Sequence, residues 1–222
     1  MESNNQKVIM QQTLFKQTSD NDAPLLPFNG DVLYQEHFFT PAESDAYFKH
    51  LVDCIAWKQE PIKMFGKEVM QPRLTAWYGD TGKHYSYSGI TMHPIIWTDE
   101  LLQIKQRIEA VAGVRFTSAL LNYYRNGQDS MGWHRDNEKE LGKNPVIGSV
   151  SFGAPRNFQL RYYADKSLPE LENRAGLVKN ICLTNGSFLL MRGETQHFWE
   201  HRIPKTTKPT GARVNITFRV IM

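Results

Sequence analysis

Residues 119–124 (ALLNYY), 146–153 (VIGSVSFG), 158–163 (FQLRYY), 181–184 (ICLT), 187–192 (SFLLMR), 197–203 (HFWEHRI) and 213–221 (RVNITFRVI) decide the fold. Each run is short, rich in β-branched and aromatic side chains, and bounded by Gly, Asn, Asp or Pro, which is the composition of strands. No helical period separates them, so a parallel α/β sheet is excluded and a jelly roll or barrel is expected. Asn185-Gly186, between ICLT and SFLL, reads as a type I′ hairpin turn because both residues tolerate positive φ.

Two helices precede the strands. Thr40-Pro41-Ala42-Glu43 combines an N-cap threonine, proline at the first helical position and a capping-box glutamate, and Phe48, Leu51, Val52 and Ile55 follow on one face. A second helix is predicted from Thr98, with Asp99 and Glu100 in its electropositive first turn, Leu101, Ile104, Ile108 and Val111 facing inward, and Gly113 as its stop. Residues 1–25 are rich in Asn, Gln, Ser and Asp and read as a mobile N-terminal arm, leaving 26–222 as a single domain. Within it, 26–113 is read as a helical flank and lid, and 114–222 as the core.

The 222 residues contain only two cysteines, Cys54 and Cys182, and no CxxC pair. A disulfide framework and a zinc ribbon are therefore excluded, and a reducing compartment is expected. No apolar run approaches the roughly 18 residues of a membrane span, and the N-terminus lacks the apolar core of a secretory signal. The expected location is cytoplasmic, bacterial or otherwise intracellular, with no membrane partner. A net charge of +3 is compatible with a polyanion without requiring one. Lys58, Lys63, Lys67 and Arg73, and later Arg202, Lys205 and Lys208, are the basic groups of interest; on charge pattern alone they form a solvated face equally well.

The last strand alternates strictly. Val214, Ile216, Phe218 and Val220 share one face; Arg213, Asn215, Thr217 and Arg219 share the other. An ordinary amphipathic strand would put the polar face in water, but two guanidiniums on one strand can also clamp both ends of a dicarboxylate such as 2-oxoglutarate. Upstream, His134-Arg135-Asp136 places an imidazole and a carboxylate two residues apart, hence on one side of an extended chain. A second histidine would complete the two-histidine, one-carboxylate set that holds non-haem Fe(II) with positions open for O2 and a co-substrate. His197 and His201 both compete for that place, and periodicity does not choose between them.

Five segments in order, PRLTAWYGDTGKHYSYSGIT (72–91), LLNYYRNGQDSMGWHRDNEKEL (120–141), GSVSFGAPRNFQLRY (148–162), FWEHRIP (198–204) and RVNITFR (213–219), resemble the AlkB family of Fe(II)/2-oxoglutarate dioxygenases, in particular its duplex-DNA-repair branch, the one typified by animal AlkB homologue 2. The resemblance implies a mainly β protein with flanking helices (α+β) built on a double-stranded β-helix, the jelly roll. It places the metal ligands on His134, Asp136 and His201. It places 2-oxoglutarate contacts on Asn122, Tyr124, Arg213, Asn215, Thr217 and Arg219.

For the substrate, the resemblance points to Tyr85, Tyr87 and Ser88 as walls of a base pocket and to Asn137 and Glu138 as groups that read or favour an alkylated base. Phe65, in IKMFGKEV (62–69), lies where duplex-preferring members carry a wedge that fills the gap left by a flipped base. Gln11-Gln12-Thr13-Leu14-Phe15 resembles peptides that dock on sliding clamps. The implied activity is oxidative dealkylation of 1-methyladenine and 3-methylcytosine in DNA with Fe(2+), 2-oxoglutarate and O2, releasing formaldehyde and succinate; a monomer is expected. The alternatives are an oxygenase acting on RNA or a protein side chain, and a binding module with a vestigial pocket.

Overall fold

The computed structural model describes residues 24–222 apart from 65, 83–84, 88–89, 93 and 164–175. The first helix, α1 (Pro41–Cys54), starts at Thr40 as its capping box predicts: Glu43 N–H donates to Thr40 Oγ1, and Thr40 N–H donates to the Glu43 carboxylate. The second, α2 (Asp99–Ala112), has Thr98 as N-cap and ends at Gly113 in the left-handed conformation. Leu51, Leu101, Ile104 and Ile108 are wholly buried, each contributing on the order of 2 kcal/mol of hydrophobic stabilisation.

Among the described residues, ten strands form two antiparallel sheets. The larger has the order β1 (Asp31–Gln35), β12 (Ser187–Arg192), β9 (Ile147–Gly153), β14 (Arg213–Arg219), β7 (Ser118–Tyr124), β4 (Leu74–Gly79). The smaller has the order β11 (Val178–Leu183), β10 (Arg156–Tyr162), β13 (Trp199–Ile203), β8 (Met131–His134). From β7 to β10 the chain alternates between sheets strand by strand, and it does so again from β11 to β14, which is the winding of a double-stranded β-helix. The core strands do not stop at residue 114. Strands β1 and β4 come from the preceding flank and extend the larger sheet at both edges. Two hairpins, β2 (Pro61–Met64) with β3 (Lys67–Met70), and β5 (Tyr85–Tyr87) with β6 (Ile90–Met92), stand apart from both sheets.

The larger sheet is buried on both faces. Val214, Ile216 and Phe218 pack with α1 and α2 in one apolar cluster, while Trp77, Tyr124, Leu160, Leu189 and Trp199 fill a second on the other face. The polar side of β14 therefore faces the smaller sheet instead of water: Arg213, Asn215 and Arg219 are all buried. Among the described residues no helix is long and apolar enough to cross a membrane.

The Asn185-Gly186 hairpin expectation is corrected. β11 and β12 lie in different sheets and do not pair; the residues between them form a tight turn, Ser187 N–H to Thr184 O at 3.2 Å, that carries the chain across the sandwich. Only Gly186 has positive φ (+77°), whereas a type I′ turn needs two such residues. Glycine is required there on a second count, since a Cβ would lie 2.9 Å from Phe39 O.

Candidate metal centre and adjoining cavity

β8 is an edge strand of four residues, and its last residue, His134, lies directly opposite His201 of β13. The two rings are 4.2 Å apart, centroid to centroid. Asp136 follows two residues later, and the ligand atoms of His134, Asp136 and His201 all lie within 4.8 Å of one another. His197 is excluded. It sits on a helical turn, α3 (Thr195–Phe198), that interrupts the expected strand, and its Nε2 meets Asn144 Oδ1 at 2.8 Å.

The donor set fits a ferrous ion. His134 Nδ1 lies 2.9 Å from Gly132 O; a carbonyl only accepts, so Nδ1 carries the proton and Nε2 keeps its lone pair for a metal. Asp136 Oδ1 accepts from Arg219 Nη2 at 2.8 Å, while Oδ2 is buried without a hydrogen-bond partner, as is His201 Nδ1. Orphaned polar atoms in a protein interior are costly, and a cation shared by them removes that cost. Burial pushes the His201 imidazole down to about 3, with His134 adding to the effect, and also lowers His134. Burial would raise Asp136, but the Arg219 guanidinium and the two imidazoles outweigh it and hold the carboxyl at about 2. Near pH 7 the trio thus presents two neutral imidazoles and one carboxylate, the protonation state in which they ligate.

A cavity of about 450 Å³, mouth included, opens beside the trio. Asn122 and Tyr124 of β7 and Arg213, Asn215, Thr217 and Arg219 of β14 all line it, as their shared face predicts. Asn215 faces Asn122 on one side and Ser151 on the other. Its amide donates to Ser149 Oγ (2.8 Å), and Arg213 Nη2 donates to Ser151 Oγ (2.9 Å). Arg213 Nε and Nη1 are buried without an acceptor. Burial pushes this guanidinium down to about 10, with Tyr124 partly offsetting the effect. A cation so placed calls for an anion. The two arginines of β14 have different neighbours: Arg219 is engaged with Asp136, and Arg213 with Ser151.

Sequence reading missed several supporting groups. Arg73, grouped above with solvated lysines, is buried; its Nε donates to Asn122 Oδ1 at 2.6 Å and so orients that cavity-lining amide. Arg156 reaches three carbonyls, of Asn126, Asp129 and Pro204, tying together the loops behind Tyr124. On the outer side of the smaller sheet, the guanidiniums of Arg161 and Arg202 each lie 4.3 Å from the Trp133 ring, clamping the residue next to His134 against β10 and β13. The periodicity of their strands was visible; their long-range partners were not.

Of the expected substrate contacts, Asn137 is exposed, and Glu138 is half-buried with Oε2 lacking a partner. Tyr85 and Tyr87 lie on β5, whose backbone pairs with β6, but their side chains are outside the described set, as are residues Phe65 and Ser88 and the segment Gln11–Phe15.

Residues 31–219 match the 2OG-Fe(II) oxygenase superfamily. The alpha-ketoglutarate-dependent dioxygenase alkB homolog 3 of Homo sapiens is 42% identical over 187 residues, covering 83% of this chain and 64% of that protein. Its Bos taurus counterpart is 42% identical over 182 residues, covering 81% and 62%. The DNA oxidative demethylase ALKBH2 of Homo sapiens is 37% identical over 187 residues, covering 83% and 71%. The chain thus spans a little under two thirds of the length of these two homolog 3 proteins, and relatives from both branches stand close to it. The solved structure of OsALKBH1 superposes with a TM-score of 0.58 at 15% identity, covering 85% of this chain and 97% of that one, a likeness of fold. Fe(II) and 2-oxoglutarate are the cofactor and co-substrate of the superfamily, and His134, Asp136 and His201 fit the iron. The motifs, the winding and the metal centre agree with these matches: the chain belongs to the AlkB family of 2OG-Fe(II) oxygenases.

Proposed function

We propose that this protein removes alkyl groups oxidatively from N-alkylated bases in DNA, 1-methyladenine and 3-methylcytosine among them, as a step of alkylation repair. The observation that carries the reading is the pairing of the His134–Asp136–His201 trio with an under-satisfied Arg213 at the same cavity. His134, Asp136 and His201 hold the iron; Arg213 binds the distal carboxylate of 2-oxoglutarate; Asn122, Tyr124, Asn215 and Thr217 shape and line its bed, and Arg219 steadies both Asp136 and the metal end. When bound, the iron supplies oxygen activation coupled to decarboxylation of 2-oxoglutarate to succinate.

The remaining work is positioning. A base carrying a methyl on its pairing edge has already lost part of its pairing, so extruding it costs less than extruding an intact base. Tyr85, Tyr87 and Ser88 then serve as pocket walls and Phe65 as the wedge in the duplex. Glu138, with a buried and unpartnered Oε2, favours a cationic methylated base over its neutral parent. The hydroxylated methyl leaves as formaldehyde, and the base is restored. The similarity to a DNA oxidative demethylase supports this choice of substrate. An intracellular monomer acting on duplex DNA, with the arm contacting a sliding clamp through Leu14 and Phe15, completes the proposal.

The test is formaldehyde and succinate release from oligonucleotides with defined lesions, single-stranded, duplex and RNA, with iron and 2-oxoglutarate supplied or withheld. Methylated DNA should be turned over only with both. Turnover of RNA alone would move the assignment to RNA, and 2-oxoglutarate decarboxylation coupled to none of them would overturn it.

A further inference from the structure

Asp136 lies beyond the end of β8, so no sheet ladder holds its backbone. Its N–H donates instead to Oε1 of Gln196, 2.9 Å away and 60 residues along the chain. Gln196 is 1% exposed, and the other end of its amide donates from Nε2 to Met191 Sδ at 3.5 Å. Met191, itself buried, lines the cavity. A buried primary amide with both ends engaged is oriented: the oxygen, not the nitrogen, must face the aspartate N–H, because a thioether can only accept. Gln196 rides on α3, the helical turn that leads directly into the strand bearing His201.

We propose that Gln196 is a positioning residue for the iron site, setting the backbone of Asp136 while Arg219 sets its carboxylate. Without it, Asp136 would keep one side-chain tether and no backbone tether, and its ligating oxygen would wander relative to the two imidazoles. Groups that orient metal ligands without touching the metal commonly change affinity by about 10- to 100-fold. The location of α3 adds a consequence: one turn places both a ligand strand and the amide that aligns the opposite ligand, so the two halves of the site are set together.

The inference rests on the trio being a metal site, and the experiment separates the two ideas. Co(II) alone is titrated into apo wild-type protein and into Gln196→Met and Gln196→Asn, following the d–d absorption, with the thermal midpoint of each apo form recorded. Failure of the wild type to bind Co(II) at His134, Asp136 and His201 would sink the site itself. With wild-type binding in hand, Gln196→Met, which keeps volume but removes the acceptor, should bind roughly 10- to 100-fold more weakly with a changed spectrum. Gln196→Asn, one methylene short of reaching, should lose roughly 3- to 10-fold and decides the matter if the methionine variant does not fold. A role in packing alone would lower the apo midpoint while leaving Co(II) affinity and spectrum alone. Folded variants that bind within a factor of about two of wild type would overturn the proposal.

Discussion

Arg219 Nη2 donates to Asp136 Oδ1 at 2.8 Å across 83 residues of chain, with both side chains at least 96% buried. The pair joins the closing strand of the larger sheet to the end of the smaller sheet's edge strand. It also leaves one carboxylate oxygen committed and one available, which suits a monodentate ligand.

Breaking that pair from one side should be costly. Arg219→Met leaves a buried carboxylate without its cation and is expected to destabilise the apo protein by roughly 3–5 kcal/mol in urea unfolding. Adding Asp136→Asn to it should recover a substantial part of the loss. Strict additivity of the two single changes would show that the pair is not energetically coupled.

The two histidines that compete in the sequence should separate cleanly by experiment. His201→Ala is expected to abolish stoichiometric metal binding and 2-oxoglutarate turnover, while His197→Ala, which removes only an exposed contact to Asn144, should retain both. Metal content by mass spectrometry after reconstitution is the measurement, and loss of metal in the His197 variant would contradict the assignment.

Arg213→Met should weaken 2-oxoglutarate binding by on the order of 100-fold, the loss of roughly 2–3 kcal/mol from charge-assisted hydrogen bonds. Apo stability should be unchanged or slightly higher, because a buried cation with two unmet donors is replaced by an apolar chain of similar length. Calorimetric titration with 2-oxoglutarate, beside thermal unfolding of the apo form, reads both; a large fall in apo stability with intact binding would reverse the interpretation.

Apo stability should fall on acidification from neutrality. The folded imidazole of His201 titrates at about 3, below the ~6.5 of an unfolded histidine, so the unfolded chain binds its proton first and stability is lost between those values. Asp136, at about 2 against ~3.9 unfolded, acts in the same direction lower down: its contribution is present above ~3.9 and lost as pH falls toward 2. Each group contributes at most about 1.4 kcal/mol per pH unit. Urea midpoints of the apo protein from pH 4 to 8 should therefore rise with pH, less steeply in His201→Asn; an equal slope in that variant would remove His201 as a source.

The two long helices, α1 and α2, were legible because their signals are local. The Thr40 capping box and the Thr98 to Gly113 limits are written within a few residues of the ends they set. The alternation of β14 was legible for the same reason, and so was the sharing of one face by Asn122 and Tyr124. Local signals misled where a partner lay far off in sequence. Asn185-Gly186 has hairpin chemistry, yet its two flanking strands pair with β10 on one side and with β9 and β1 on the other. Arg73 reads as one basic residue among several until Asn122 is found 49 residues away to receive it.

The sequence by itself determined most of the core strands between residues 118 and 219, the polar side of the closing strand, and which residue types are available to a metal and a diacid. These follow from backbone sterics and side-chain period, which each segment carries within itself. Periodicity left His197 and His201 open and the family resemblance implied His201; the tertiary structure sets His201 opposite His134, and it alone decided that the polar face of β14 is enclosed and that Asp136 is held between Arg219 and Gln196. Those outcomes depend on strand register and on burial by the opposite sheet, contacts that close over tens of residues and exist only once both sheets are in place.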